Sequence, residues 1–350
     1  MPSNTDLTSA ALASRLELFF GEANEAEARV YARLPSDPSL EGRRLTGRLI
    51  GPECCFSKTL PATIPFIDRG PGDGFLAEAI VPDPCFWTPE LPFLYRAILE
   101  LSPRGGDVVY SSRSVVRTVI TAAFGSEAQA RRERDEYTTK TPRLLVDRPF
   151  AIRRLGAIGR SLYLDGKRWV PRGICVDQAS QSDLAAARNA SAALVLPAPD
   201  DAFCLEASRL GVPLFVQVAA SLRDSEFASR RDAATCRSEI RRLAKWPAVF
   251  AIILDRQADL DNETLAAARN TPLATRLDAE TSSPLPAWVQ LAIFDIPQSD
   301  SSIPSLSGIT IPIIAVRRLP HHESIATARA ACDRLQFDLA SIGDFGGYFV

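Results

Sequence analysis

The chain contains 350 residues, 46% hydrophobic and 23% charged, which predicts a globular protein of two domains or one large domain. Its net charge of −2 provides no extended positive electrostatic field that would attract nucleic acid or an anionic membrane, so neither is expected as a partner. The seven cysteines form no Cys-x-x-Cys pair, the first residues resemble no signal peptide, and no apolar run approaches a membrane span. These features predict a cytoplasmic protein.

The first third of the chain is predicted to form a β-sandwich. Short segments with alternating apolar and polar residues are separated by breaks rich in proline and glycine, as in antiparallel sheets. The segments are residues 15–20, 28–34, 44–50, 75–81, 93–101 and 108–110. We assign residues 1–121 to an immunoglobulin-like β-sandwich, and the polar residues 122–145 to a linker or insertion with some helix.

Residues 146–350 show a different sequence pattern, in which short buried strands alternate with helical stretches. The predicted strands are residues 172–177, 193–196, 212–217, 249–254, 272–277, 288–294, 309–316 and 345–350. Helix signals lie between them, such as Ser180 with Asp183 as a capping box and Gly211 as a stop. The pattern predicts a compact (β/α)8 barrel of the TIM type. No helix is predicted after the last strand, so the outer ring is expected to be closed otherwise or left open.

Four motifs resemble segments of glycoside hydrolase family 2, the β-galactosidase and β-glucuronidase family. They are Trp87-Thr-Pro-Glu-Leu-Pro-Phe-Leu-Tyr95 in the sandwich, Arg148-Pro-Phe-Ala-Ile-Arg153 leading out of it, residues 162–174 at the first barrel strand, and residues 203–216 around the third. The resemblance covers roughly residues 40–350. It implies a sandwich followed by a barrel, a carbohydrate partner and no cofactor.

The chain departs from the family where the resemblance implies chemistry. Strand 1 continues as Cys175-Val-Asp177 instead of reaching Asn and His, and the Arg expected after strand 2 falls on Val195 or Leu196. Strand 4 ends in Arg256-Gln257 where the family has Asn-Glu, the Glu being the acid/base. The nucleophilic Glu expected after strand 7 falls on Val316 or Arg317.

These substitutions predict that the family's mechanism is lost. A retaining glycosidase needs two carboxyl groups about 5–5.5 Å apart, one as proton donor and one as nucleophile. The Gln257 amide cannot supply a proton, and a guanidinium cannot attack an anomeric carbon. We therefore predict a catalytically inactive relative, a pseudoenzyme that acts as a carbohydrate-binding or interaction protein. The alternatives are an active O-glycosyl hydrolase with relocated carboxylates, and an assembly protein with an occluded barrel mouth.

Four aspartates follow predicted barrel strands and are the candidate binding residues. They are Asp177, Asp255, Asp278 and Asp295, after strands 1, 4, 5 and 6. The carboxyl ends of barrel strands form the face where barrel active sites lie, so the four could bind a sugar, bind a cation or carry relocated chemistry. The structural alternative is that each caps a helix or holds a turn. The two histidines, His321 and His322, are adjacent in a loop, and no metal site is predicted.

Overall fold

A computed structural model describes residues 9–72, 74–103, 143–218, 229–258, 260–277, 284–296, 308–318 and 324–350. Its two compact units are Met1–Ile50, Ala62–Asp83 and Arg96–Arg148 for the first, and Gly51–Pro61, Pro84–Tyr95 and Pro149–Val350 for the second. Most of the predicted linker and the predicted strand 108–110 lie outside the described residues, so that linker stays a prediction. No helix within the described residues is long and apolar enough to cross a membrane.

The first unit is a curled antiparallel β-sandwich, as predicted. It begins with helix α1 (Ser9–Arg15), and its strands are β1 (Glu17–Ala23), β2 (Glu27–Pro35), β3 (Arg43–Glu53), β4 (Ala62–Pro71), β5 (Gly74–Pro82), β6 (Leu94–Pro103) and β7 (Arg143–Phe150). Their order in the sheet is β1-β2-β5-β4-β3-β6-β7. The alternation in β2 places Val30 and Leu34 in the core, because successive side chains of a strand point to opposite faces. Sequence patterns did not predict β4 or β7.

The opposite face of β2 and β5 carries a buried carboxylate, Glu78. Its oxygens accept hydrogen bonds from Arg29 (3.3 Å) and from Arg69 (2.5 Å). Burial opposes ionisation of Glu78, but the hydrogen bonds and charge of Arg69, together with Tyr31 and Arg29, hold its pKa below the usual value. The charge of Glu78 therefore contributes to the stability of the sandwich above acid pH.

The second unit contains a closed parallel barrel, which confirms the predicted fold. A small sheet of β8 (Leu155–Ile158), β9 (Ser161–Leu164) and β10 (Lys167–Trp169) precedes it. The barrel strands are β11 (Arg172–Cys175), β12 (Ala193–Pro197), β13 (Leu214–Gln217), β14 (Val249–Leu254), β15 (Leu273–Leu277), β16 (Leu291–Asp295), β17 (Ile313–Val316) and β18 (Gly347–Phe349). Strands pair in chain order, and β18 pairs with β11 to close the barrel.

Side-chain caps mark the starts of four of the described helices around the barrel, at Ser180, Asp200, Asp261 and Ser324. The described helices are α2 (Gln181–Asn189), α3 (Asp201–Leu210), α4 (Ser229–Ala244), α5 (Asn262–Ala268) and α6 (Ile325–Leu339). Ser180 and Asp183 form the predicted capping box of α2, and Asp261 caps α5. Gly211 ends α3 in the left-handed region, at φ 75°.

Helix α6 covers the seam at which the first and last barrel strands meet. It contacts β11, β18 and α2. Its buried face carries Ala328, Cys332, Leu335 and Leu339, at the spacing of one apolar helix face. The outer ring is thus closed at this seam by α6.

Aromatic rings fill the barrel interior. The ring centroids of Phe215 and Phe349 are 4.8 Å apart, and Trp169 lies 4.7 Å from Phe250. Phe349 occupies the space that a side chain on Gly173 would need, since a Cβ there would lie 2.3 Å from its ring. The interior is therefore a packed core, with open space expected only at the strand ends.

Two of the motifs that resemble the glycosidase family hold the barrel together. Trp87 is fully buried, and its indole N–H donates to the carbonyl of Ser208 at 2.9 Å. Arg153 is buried and donates to the carbonyls of Pro247 (2.5 Å) and Val249 (2.7 Å), which places it beside the start of β14. Both side chains therefore serve the scaffold.

Candidate functional site

The carboxyl ends of the barrel strands carry the candidate site, which we call the mouth. It comprises Cys175 and Asp177 at β11, Asp255, Arg256 and Gln257 after β14, Arg276 in β15, Asp295 in β16, and Arg317 and Arg318 after β17. These side chains share one end of the barrel because all eight strands are parallel.

The best-defined polar contact of the mouth is an ion pair between neighbouring strands. The Nη1 atom of Arg276 lies 3.0 and 2.8 Å from the two carboxylate oxygens of Asp295. The Nε atom of Arg318 lies 4.0 Å from the same carboxylate. Register explains the contact: Arg276 pairs with Ile293, so Asp295, two residues further along β16, points to the same face.

The thiol of Cys175 lies among these charges. Burial raises the pKa of Cys175 to about 11, and Asp295 and Asp177 add to the effect. The positive charges of Arg318 and Arg276 act in the opposite direction. The thiol is therefore protonated at neutral pH and is a poor nucleophile.

The turn after β14 is organised by Asp255. One of its carboxylate oxygens accepts the backbone N–H of Gln257 at 3.0 Å, and its carbonyl accepts the N–H of Ala258 at 3.0 Å. Arg256 donates to the carbonyl of Pro284 at 3.1 Å. The turn-forming interpretation therefore accounts for one oxygen of Asp255, while Asp255 and Gln257 both remain exposed.

The two arginines after β17 have partners on different elements. Arg317 donates to Asp338 of α6 at 2.7 Å, and its backbone N–H bonds to the carbonyl of Phe349. Arg318 approaches Asp295 at the mouth. The family resemblance implies a nucleophilic carboxylate at Val316 or Arg317. Val316 is buried in β17, and neither residue has a carboxylate. The assignment of that position to Arg317 stays a prediction.

The remaining predicted residues divide between exposed, buried and undescribed positions. Asp177 is exposed just beyond β11, whereas Val195 and Leu196 are buried in β12. Asp278, His321 and His322 lie outside the described residues. Across the residues that the structure describes, no three His, Cys, Asp or Glu side chains are grouped closely enough to hold a metal ion.

Sequence reasoning missed Arg276 and Arg318 as parts of the mouth. The available signal was the single charged residue within the apolar strand Leu273-Ala-Thr-Arg-Leu277. An arginine at the carboxyl end of a buried strand is expected to reach a partner, because burying an unpaired charge is costly. That partner could not be identified without the register between β15 and β16.

Comparison with solved structures relates the fold to glycoside hydrolase family 2. No protein-family model matches the chain, and no curated protein sequence matches it. It is similar to a family 2 member from Bacteroides cellulosilyticus (TM-score 0.60, 13% identity, 96% of this chain and 43% of that one). It is also similar to Bifidobacterium dentium β-glucuronidase complexed with coumarin-3-O-glucuronide (0.58, 13%, 95% and 59%). Bacteroides uniformis β-glucuronidase is a third (0.56, 16%, 95% and 45%).

These likenesses confirm the predicted fold. At such low identity they establish the fold, a sandwich and a barrel, and leave the chemistry of the mouth open. The chain spans about half the length of the structures that it resembles. Activity must therefore be argued from the residues of the mouth.

Proposed function

We propose that the protein binds a carbohydrate at the mouth of its barrel without hydrolysing it. The observation that carries this proposal is Gln257 at the end of β14, where the family resemblance implies the acid/base glutamate. A carboxamide can hydrogen-bond to a glycosidic oxygen but has no proton to give at neutral pH. Binding can therefore persist without the step that cleaves the bond.

The contacts of Asp295 and Asp255 also argue against a mechanism that uses two catalytic carboxylates. Both oxygens of Asp295 accept from Arg276, and one oxygen of Asp255 holds the turn that contains Gln257. A nucleophilic carboxylate would have to leave its arginine in order to attack a sugar, which lowers its reactivity. The mouth is better suited to holding a ligand than to transferring a glycosyl group.

A carbohydrate is the ligand class that the polar groups and the fold favour. The exposed Asp177, Asp255 and Gln257 offer hydrogen-bond acceptors and an amide donor, which suit hydroxyl groups. One similar structure is a β-glucuronidase complexed with coumarin-3-O-glucuronide. The likeness of fold makes glycans the first ligands to test, and the sugar is left to the experiment.

Calorimetric titration with a panel of glycans tests binding. We expect heat of binding for at least one glycan at millimolar concentration, and at least tenfold weaker binding in an Asp177→Asn, Gln257→Ala double variant. The control is Asp344→Asn, which changes an exposed carboxylate paired with Arg168. If no glycan binds at millimolar concentration, carbohydrate binding is refuted. The hypothesis that remains is an interaction protein.

Turnover of nitrophenyl glycosides tests the alternative, an active hydrolase with relocated carboxylates. We expect no turnover above the uncatalysed rate. Turnover that disappears in an Asp255→Asn, Asp295→Asn variant would overturn inactivity and assign the chemistry to that pair. Turnover unchanged in that variant would equally overturn inactivity but exclude these two residues.

A further inference from the structure

A cavity of about 220 Å³ lies at the opposite end of the barrel from the mouth. Its walls come from the starts of β11, β12 and β13, the ends of α2 and α3, and helix α6. The residues with polar side chains that line it are Glu90, Trp169, Arg172, Arg188, Ser191 and Arg329. Three of these are arginines, and they face two acids, Glu90 in the lining and Asp333, which pairs with Arg172 and Arg329, so an excess of positive charge remains.

Two of the arginines are fixed by hydrogen bonds to the protein. Arg188 donates to the carbonyls of Pro89 and, at 3.0 Å, Glu90. Arg172 donates to the carbonyl of Val170 at 2.7 Å and pairs with Asp333 at 3.0 Å. Their positive charge is thereby held at the cavity wall, and an entering anion would meet it without reorganising the site.

The third arginine, Arg329, retains donor capacity. Its Nη1 atom donates to Asp333 at 2.5 Å. Its Nε atom is buried, and no acceptor for it is found among the described residues. A buried N–H without an acceptor is costly, and an arginine has five donors in a planar fork suited to carboxylate or phosphate. Because its Nε is buried, Arg329 would meet an anion in the cavity through its Nη atoms, and its side chain is 25% exposed.

The size and polarity of the cavity limit what it can hold. At about 30 Å³ per water molecule, its volume of about 220 Å³ corresponds to about seven waters, which is room for a small acid. Ser191 lines the cavity and is exposed, with φ 50°. Asn and Asp tolerate this conformation well, so either can replace Ser191 in a test of the cavity. We propose that this cavity binds a small anion that bears a carboxylate or a phosphate group.

This proposal is independent of carbohydrate binding at the mouth. The cavity lies at the starts of the strands, and the mouth lies at their carboxyl ends. No residue of the proposed carbohydrate site lines the cavity. A variant that blocks the cavity should therefore leave any glycan titration unchanged.

Thermal unfolding with inorganic phosphate or malonate, against sodium chloride at the same ionic strength, tests the proposal. At ten times the dissociation constant we expect the melting temperature to rise by about 2–4 °C. A rise with phosphate alone assigns the site to phosphate, and a rise with malonate assigns it to carboxylates also. No rise with either anion beyond that in chloride overturns the proposal.

Two pairs of matched variants place the anion in this cavity. Ser191→Asp adds a negative charge at the wall and should abolish the rise, whereas Ser191→Asn should keep it. Arg329→Gln should weaken anion binding about tenfold, whereas Arg334→Gln, on the exposed side of the same helix, should not. A rise that survives Ser191→Asp would overturn the assignment, even if Arg329→Gln proved too unstable to test.

Discussion

Replacing Arg153 by alanine tests whether a buried guanidinium holds the barrel together. Arg153 is 6% exposed and donates to the carbonyls of Pro247, Val249 and Asn270 at 2.5, 2.7 and 3.3 Å. A fourth contact reaches the hydroxyl of Thr271 at 3.3 Å. Without the guanidinium, all four of these acceptors lose the Arg153 donor.

The expected loss follows from those acceptors. A buried acceptor left without a partner costs about 1–3 kcal/mol, and Arg153→Ala removes this donor from two buried carbonyls, those of Pro247 and Val249. The loss is reduced because burial of the charged group is itself unfavourable: burial lowers the pKa of Arg153 to about 10. We therefore expect the free energy of unfolding to fall by about 3–5 kcal/mol.

Tryptophan fluorescence during urea unfolding measures the change. The four tryptophans, Trp87, Trp169, Trp246 and Trp288, all belong to the second unit, so the signal reports that unit. Arg154→Ala is the control, because Arg154 is 32% exposed and pairs with Asp165 at 3.6 Å; its loss should stay below about 1 kcal/mol. An Arg153→Ala variant within about 1 kcal/mol of the unaltered protein would refute the reasoning.

Three further predictions test the mouth, the sandwich and the barrel interior. Gln257→Glu should give no turnover of nitrophenyl glycosides, because the second catalytic carboxylate is still missing. Turnover would refute the prediction that both catalytic carboxylates are lost. Glu78→Gln should destabilise the sandwich by about 1–3 kcal/mol near pH 7. Because the folded pKa of Glu78 is lowered, the difference should vanish as the pH falls through that pKa, measured by circular dichroism. Gly173→Ala should cost about 1–3 kcal/mol by fluorescence, because its Cβ would meet Phe349, whereas Gly308→Ala should be neutral.

The barrel strands could be predicted because each is a short apolar run between turn signals. Their starts were less accurate, and proline explains two of the errors. The predicted strand 212–217 begins at Leu214, after Pro213, and the predicted strand 309–316 begins at Ile313, after Pro312. The carbonyls of Pro213 and Pro312 accept backbone hydrogen bonds from the neighbouring strands, but proline cannot donate to a ladder, so each regular strand starts at the next residue. Strand β4 was missed because proline and glycine interrupt its alternation.

The contacts of the mouth could be predicted only in part. Asp177, Asp255 and Asp295 lie at strand ends as expected, because position along a parallel strand determines which end of the barrel a residue occupies. The Arg276–Asp295 pair depends on register between strands, and the contact of Arg317 with α6 depends on the path of the chain after β17. One sequence does not specify either quantity.

The residues that stabilise this barrel are different from the residues at its mouth. The fold alone therefore does not determine activity. Trp87, Arg153 and Gly173 act through buried contacts below the mouth, and none of those contacts involves Gln257 or Arg276. Side chains at the mouth can therefore change while the interior packing stays intact. A glycosidase fold follows from the scaffold residues, whereas glycoside cleavage requires two carboxyl groups at the mouth. We expect this barrel to bind and not cleave because Gln257 offers no proton, and the ion pair that occupies Asp295 supports the same expectation.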